Sequence, residues 1–220
     1  MPSLAFGGHE FRVVGRKALF WPKRAALIVA DLHLEKASWF AERGQMLPPY
    51  DSLATLERLS RLIDETDTRE IWCLGDNFHD DAGAGRLGGE AKSLLAGLTN
   101  QTDWHWITGN HDEHLPDTVG GKIVNEALVD GLTLRHRANT ADGQPELSGH
   151  FHPKYRMSAR GHGVSRPCFV ASATKLIFPA FGALTGGLAA DHPEIATAVG
   201  QRSEALIATS TRLLRFALSV

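Results

Sequence analysis

Five short apolar runs, each broken off by a polar turn that carries Asp, Asn or His, constrain this chain more than any other feature. Residues 25–30 (AALIVA) run straight into Asp31-Leu32-His33. Residues 70–74 (EIWCL) end in Gly75-Asp76, and a run at 104–108 ends in Gly109-Asn110-His111-Asp112. A fourth at 131–135 stops at His136, and a fifth at 146–148 stops at Gly149-His150-Phe151-His152. Short unbroken apolar runs of this kind read as buried strands. Helical patterns lie between the early ones, at 35–43, 51–65 and 89–98. The second has apolar residues at Leu53, Leu56, Leu59, Leu62 and Ile63, with Asp51 as its expected N-cap. After residue 152 the pattern turns to strands, at 167–173, 175–178, 205–209 and 212–218. Strand and helix in alternation with a strand-rich end predict an α/β layered fold. In such sheets ligands bind beyond the carboxyl ends of the strands. Reactive residues far apart in sequence therefore converge.

Composition narrows the class. The 220 residues fit one domain, and 43% hydrophobic with 22% charged residues excludes disorder and coiled coil. The balance of 23 Lys+Arg against 25 Asp+Glu argues against a general polyanion binder. Cys73 and Cys168 sit in apolar runs and read as buried free thiols rather than a disulfide framework. The N-terminus lacks the order of a signal peptide, and no apolar run approaches the ~20 residues of a membrane span. The expectation is a cytoplasmic protein with no membrane partner.

Histidine is the unusual count, at 11. The polar set in chain order is Asp31, His33, Asp76, Asn110, His111, Asp112, His136, His150 and His152. Carboxylates with imidazoles suit Mn, Fe or Zn better than Mg or Ca. The set is too large for one tetrahedral zinc and contains no cysteine, so two ions fit better. In D-x-H and H-x-H the residues at i and i+2 of an extended chain face one side. His9, His105, His114, His162 and His192 read as structural. Trp104 and Trp106 read as packing.

The ordered blocks D-x-H, G-D-x-x-H-D, G-N-H-D, a lone H and G-H-x-H resemble the calcineurin-like metallophosphoesterase superfamily, from Asp31 to His152. The runs DLHLEKASWFAERG, LGDNFHD and GHFHP are similar to the bacterial DNA-ligase-associated metallophosphoesterases, or ligase-associated DNA damage response endonucleases. The resemblance implies a four-layer α-β-β-α sandwich over residues 1–220 as a single domain. It implies two divalent ions, with Mn²⁺ expected and Fe or Zn fitting the same ligands. Asp31, His33 and His152 would hold one ion, and Asn110, His136 and His150 the other. Asp76 would bridge them. His111 would act as acid toward the leaving group, oriented by Asp112 or Asp80.

Two close cations neutralise a phosphodiester's charge and supply hydroxide near neutral pH. The implied function is phosphodiester hydrolysis, with nucleic acid as leading substrate and DNA ligase or helicase repair partners by family association. The alternatives are a small-molecule phosphodiesterase or nucleotide phosphatase, and a metal-bound scaffold without activity. Phosphoprotein phosphatases of the superfamily carry a phosphate-clamping arginine where this chain has Asp80, which disfavours that reading. From Leu147 to Ala190 there is no Asp or Glu, while Lys154, Arg156, Arg160, Arg166 and Lys175 are present, and Arg135 and Arg137 flank His136. These residues suggest a basic wall for phosphates, with Arg156, Arg160 and His79 as substrate contacts.

Overall fold

The structure, a computed structural model, describes residues 1–141, 143–159, 162–200 and 202–218, and only the backbone of Ser158, Ala159 and His162. The expectation for Arg160 lies outside the described residues. The chain opens with three antiparallel strands, β1 (Ser3–Phe6), β2 (His9–Val14) and β3 (Ala18–Trp21). β4 (Ala26–Val29) follows against β3, and β5 (Glu70–Leu74), β6 (Asp103–Ile107) and β7 (Lys122–Val124) extend the sheet in parallel. The order of this seven-stranded sheet is β1 to β7 without permutation.

A second seven-stranded sheet begins with β8 (Glu126–Val129), β9 (Leu132–Arg135) and β10 (Glu146–Ser148). The chain then forms an antiparallel hairpin, β11 (Lys154–Ala159) with β12 (His162–Pro167). It returns to the sheet as β13 (Phe169–Ala171), β14 (Lys175–Ile177), β15 (Glu204–Ala208) and β16 (Leu213–Ala217). The spatial order is β16-β15-β13-β14-β10-β9-β8, with β9, β10 and β14 parallel. Five α-helices among the described residues complete the fold: α1 (Lys36–Ala41), α2 (Asp51–Thr66), α3 (Gly83–Arg86), α4 (Gly89–Gln101) and α5 (Pro193–Val199).

Strand alternation explains the layers. Ala26 and Ile28 of β4 point into a core shared with Leu132, Leu134, Phe169 and Leu176 of the second sheet. Leu27 and Val29 point the other way, onto Leu56, Leu59, Leu95 and Leu98 of α2 and α4. Burial on both faces is why the strands read as unbroken apolar runs. The outer face of the second sheet packs Val170, Ile177 and Ile207 against Ile195, Ala198 and Val199 of α5. Helix, sheet, sheet and helix are therefore the four layers. Trp104 and Trp106 both lie in the helix-side core, and Cys73 and Cys168 are buried free thiols.

The structure corrects some local expectations. Asp51 does not cap α2: it is the first helical residue, and its carboxylate accepts from Ala37 N of α1 at 3.1 Å. The end that reads as strand-rich also holds a helix, α5. His192 precedes it and its Nδ1 accepts from Glu194 N, with Pro193 in the first turn where no N–H is needed. No helix among the described residues is long and apolar enough to cross a membrane.

Candidate metal centre

β4, β5 and β6 run parallel, so Asp31, Asp76 and Asn110 leave the first sheet at one edge. β9 and β10 deliver His136, His150 and His152 from the second sheet to the same place. Backbone bonds tie these turns together. Asp31 N donates to Gly75 O at 3.1 Å, His33 N to Asp76 O at 2.9 Å, and Gly149 N to His136 O at 2.9 Å. Two glycines permit the approach. A Cβ on Gly75, whose φ is 80°, would meet His136 Nδ1 at 2.3 Å, and one on Gly109 would meet Asp76 Oδ1 at 2.2 Å. Asp31, His33, Asp76, His150 and His152 all adopt left-handed backbone, with φ of 54°, 45°, 47°, 75° and 50°. Such conformations cost roughly 1–3 kcal/mol each in non-glycine residues and concentrate at functional sites.

Among the described residues the donor side chains form three groups, one of them His33, His79 and His111, and the other two share the Asp76 carboxylate. Asp31, His33, Asp76 and His152 bring their donor atoms together, and so do Asp76, His136 and His150. Asp76 Oδ2 lies 3.7 Å from His33 Nε2, while its Oδ1 lies 3.4 Å from His136 Nε2. Asn110 Oδ1 is 3.0 Å from His136 Nε2. His136 Nδ1 donates to the Leu74 carbonyl at 3.0 Å, so its neutral ring carries no hydrogen on Nε2. That nitrogen therefore faces Asn110 Oδ1 acceptor to acceptor, an arrangement that a cation between them satisfies. Asp31 and Asp76 are 0% and 2% exposed, and buried carboxylates without a cation are costly. The donor set of carboxylate, amide oxygen and imidazole fits divalent first-row metals.

Electrostatics favour the same use. Burial, then His152 and Lys36, push the His33 imidazole far below its ordinary value. Burial first pushes His79 and His150 down to about 4. Neutral imidazoles keep the lone pairs that ligation requires. Asp76 is raised, chiefly by burial and also by Asp31, with His136 opposing.

The remaining site expectations separate. His111 is exposed at the edge of the site, and its ring lies 5.1 Å from that of His33. Neither Asp112 nor Asp80 orients it. Asp112, fully buried, accepts from Asn77 N, Phe78 N and Gly109 N at 2.7, 3.0 and 2.8 Å, latching the loops after β5 and β6. Asp80 pairs with Arg86 of α3. The partner of His111 Nδ1 is instead the His79 carbonyl at 2.9 Å. His79, expected against substrate, is 8% exposed, and its Nδ1 lies 3.2 Å from His33 Nδ1. When His33 binds through Nε2, its Nδ1–H donates to His79, the kind of contact that orients metal-binding imidazoles.

The basic residues also sort differently from a single wall. Lys175 and Arg135 pair with the fully buried Glu146. Arg156 is exposed on β11 and has no hydrogen bond or ion pair to the Asp/His set among the described residues. Lys36 was missed. Its charge reaches His33, His79 and Asp76, and burial lowers its ammonium against the pull of Asp51 and Asp76. A lysine opening a helix reads as solvated, so only its place in DLHLEK hinted at more. The described structural histidines have local partners: His9 bonds the Asp130 carbonyl, His105 stacks on Trp72, and His114 pairs with Asp81.

The fold and this convergence of Asp and His from two stacked sheets define a phosphoesterase built around divalent metals. The chain belongs to the calcineurin-like phosphoesterase family, which matches residues 25–163. It is a metal-dependent phosphoester hydrolase. In structure it is similar to the nuclease MPE of Pseudomonas putida, at 28% identity and a TM-score of 0.72, over 93% of this chain and 95% of that one. No curated protein matches the sequence.

Proposed function

We propose that this phosphoesterase is a nuclease that hydrolyses phosphodiester bonds with two divalent ions, Mn²⁺ foremost. The observation that carries the reading is Asp76, whose two oxygens face two separate imidazole groups. In this reading Asp31, His33 and His152 would hold one ion, Asn110, His136 and His150 would hold the other, and Asp76 would serve both. The ions supply charge neutralisation of the diester and hydroxide near neutral pH. His111 gives its proton from Nε2 to the leaving oxygen, since Nδ1 is committed to the His79 carbonyl. Lys36 adds positive charge near Asp76. His79 and Asp112 are positioning residues. Asp80, engaged by Arg86, offers no clamp for a phosphate dianion, which favours a diester with one charge. The similarity to a nuclease supports nucleic acid as the substrate.

Ligands come from both sheets, so residues 1–220 act as one domain. Buried free thiols at Cys73 and Cys168 suit a cytoplasmic enzyme. A repair role beside a ligase or helicase rests on the sequence resemblance alone. The test is hydrolysis of bis-p-nitrophenyl phosphate with Mn²⁺, expected to vanish in Asp76→Asn. Nicking of single-stranded, gapped and duplex DNA, set against cyclic nucleotides, tests the substrate. Turnover of cyclic nucleotides without any DNA cleavage would reject the nuclease reading, and no turnover at all would reject the enzyme.

A further inference from the structure

Three basic residues form a group beside the Asp/His set. Lys17, in the turn between β2 and β3, and Lys154, at the start of β11, line a cavity of about 90 Å³ together with His152 and Thr185. Neither lysine has a carboxylate partner among the described residues. Lys17 Nζ lies 3.5 Å from the Gly182 carbonyl, and Lys154 Nζ lies 3.4 Å from that of Thr185. The lining contains no acid. Arg58 of α2, held on the Phe181 carbonyl at 3.0 Å, is close enough to act on Lys17. The crowding is felt there: burial first, then Arg58 and Lys154, push the Lys17 ammonium down to about 8.

Gathering like charges without a counter-charge costs free energy. Several other basic side chains among the described residues have an acidic partner. Arg86 leans on Asp80, Arg24 on Glu70 and Lys175 on Glu146. The Lys17–Lys154 pair shares a wall with His152, so an anion in the cavity would sit one side chain away from the metal positions. Ammonium groups on flexible stems meet phosphate oxygens as point charges and read no base.

We propose that the Lys17–Lys154 cavity binds a phosphate of the nucleic-acid strand neighbouring the scissile one. This rests on the nuclease reading above and adds to it a preference: a strand supplies the second phosphate, and an isolated diester does not. Lys154 then starts a path along β11, with Arg156 two residues on and so on the same strand face.

The test compares the Mn²⁺-loaded enzyme with Lys17→Gln/Lys154→Gln, using a single-stranded oligonucleotide and bis-p-nitrophenyl phosphate. The ratio of the two kcat/KM values is expected to fall at least tenfold, carried by the oligonucleotide's KM. The salt dependence of that KM should weaken by about one to two phosphate contacts. Lys17→Arg/Lys154→Arg should recover most of the ratio, because charge is kept. If the double variant does not fold, Lys154→Gln alone is read the same way, since its side chain is partly exposed. An unchanged ratio and salt slope in an enzyme that cleaves oligonucleotides overturns the cavity assignment alone. A wild-type enzyme that hydrolyses the small diester but neither cleaves nor binds oligonucleotides overturns the nuclease reading, and this proposal with it.

Discussion

His111 Nδ1 lies 2.9 Å from the carbonyl oxygen of His79. A carbonyl only accepts, so Nδ1 carries the hydrogen and Nε2 is the nitrogen that exchanges protons. A backbone acceptor cannot be removed by mutation, so the ring's orientation survives changes to nearby carboxylates. His111→Ala should retain bound metal and lose about 10²–10⁴-fold in kcat on alkyl leaving groups. The loss should be much smaller with p-nitrophenolate, which leaves unprotonated. Metal content and kcat on both substrate types check this; loss of metal would reassign His111 as a ligand.

His79 contributes its ring as well as its carbonyl. With His79→Ala the bond to His33 Nδ1 disappears while the backbone bond to His111 stays. Metal affinity is expected to fall roughly 10–100-fold, as when a metal-bound imidazole loses its orienting partner. Saturating Mn²⁺ should restore most of kcat. A Mn²⁺ titration identical to wild type would show that His79 does not position His33.

Asp112 is a latch. Asp112→Asn replaces one accepting oxygen with an NH₂ that faces backbone donors, stranding at least one of them. Each buried donor left unpaired costs about 1–3 kcal/mol. The urea midpoint should drop accordingly, in the metal-free protein as much as in the loaded one. A general acid–base role would instead cut kcat at unchanged stability.

Stability without metal should fall with acid. His79 and His150 titrate near 4 in the fold against 6.5 in a free chain, and His33 lies lower still. Between pH 6.5 and 4 the unfolded chain thus takes up protons that the fold refuses, and stability drops as pH drops. Asp76 and Asp112 act oppositely: both are raised, Asp112 to about 6, so their contribution is present at low pH and lost as pH rises. Three histidines outweigh two carboxyls. Urea melts of chelator-treated protein should show a lower midpoint at pH 5 than at pH 7. Mn²⁺ should raise the unfolding free energy by about 2.7 kcal/mol at 100 times its Kd, and with it the midpoint, and by less at pH 5, where protons compete for the imidazoles. A midpoint that is flat from pH 7 to 5 would contradict these histidine shifts.

Much of the frame is legible in the residues. β4, β5 and β10 fall where their apolar runs lie, because strands buried on both faces leave unbroken runs. β6 begins at Asp103, one residue before its expected start. The stripe from Leu56 to Ile63 marks α2 because one face of that helix packs on the first sheet. α5 escapes notice because it is only seven residues long, too short to establish a period. Asp112 sits beside His111 in sequence, yet its carboxylate turns to backbone N–H groups 34 and 35 residues away.

Read alone, the chain specifies its chemistry: which strands end in Asp, Asn or His, and therefore which donors a metal could find. That much is local, because strand period and residue type are carried by neighbouring residues. The pairing is not local. His150 N reaches Asp31 across 119 residues, and Lys17 meets Lys154 only because two hairpins from different sheets close on one cavity. The tertiary structure alone decides that Lys175 pairs with Glu146 while Lys154, without a carboxylate partner among the described residues, lines a cavity with Lys17. The physical reason is that charge acts through space, and the distances that weigh one partner against another exist only once the two sheets have packed.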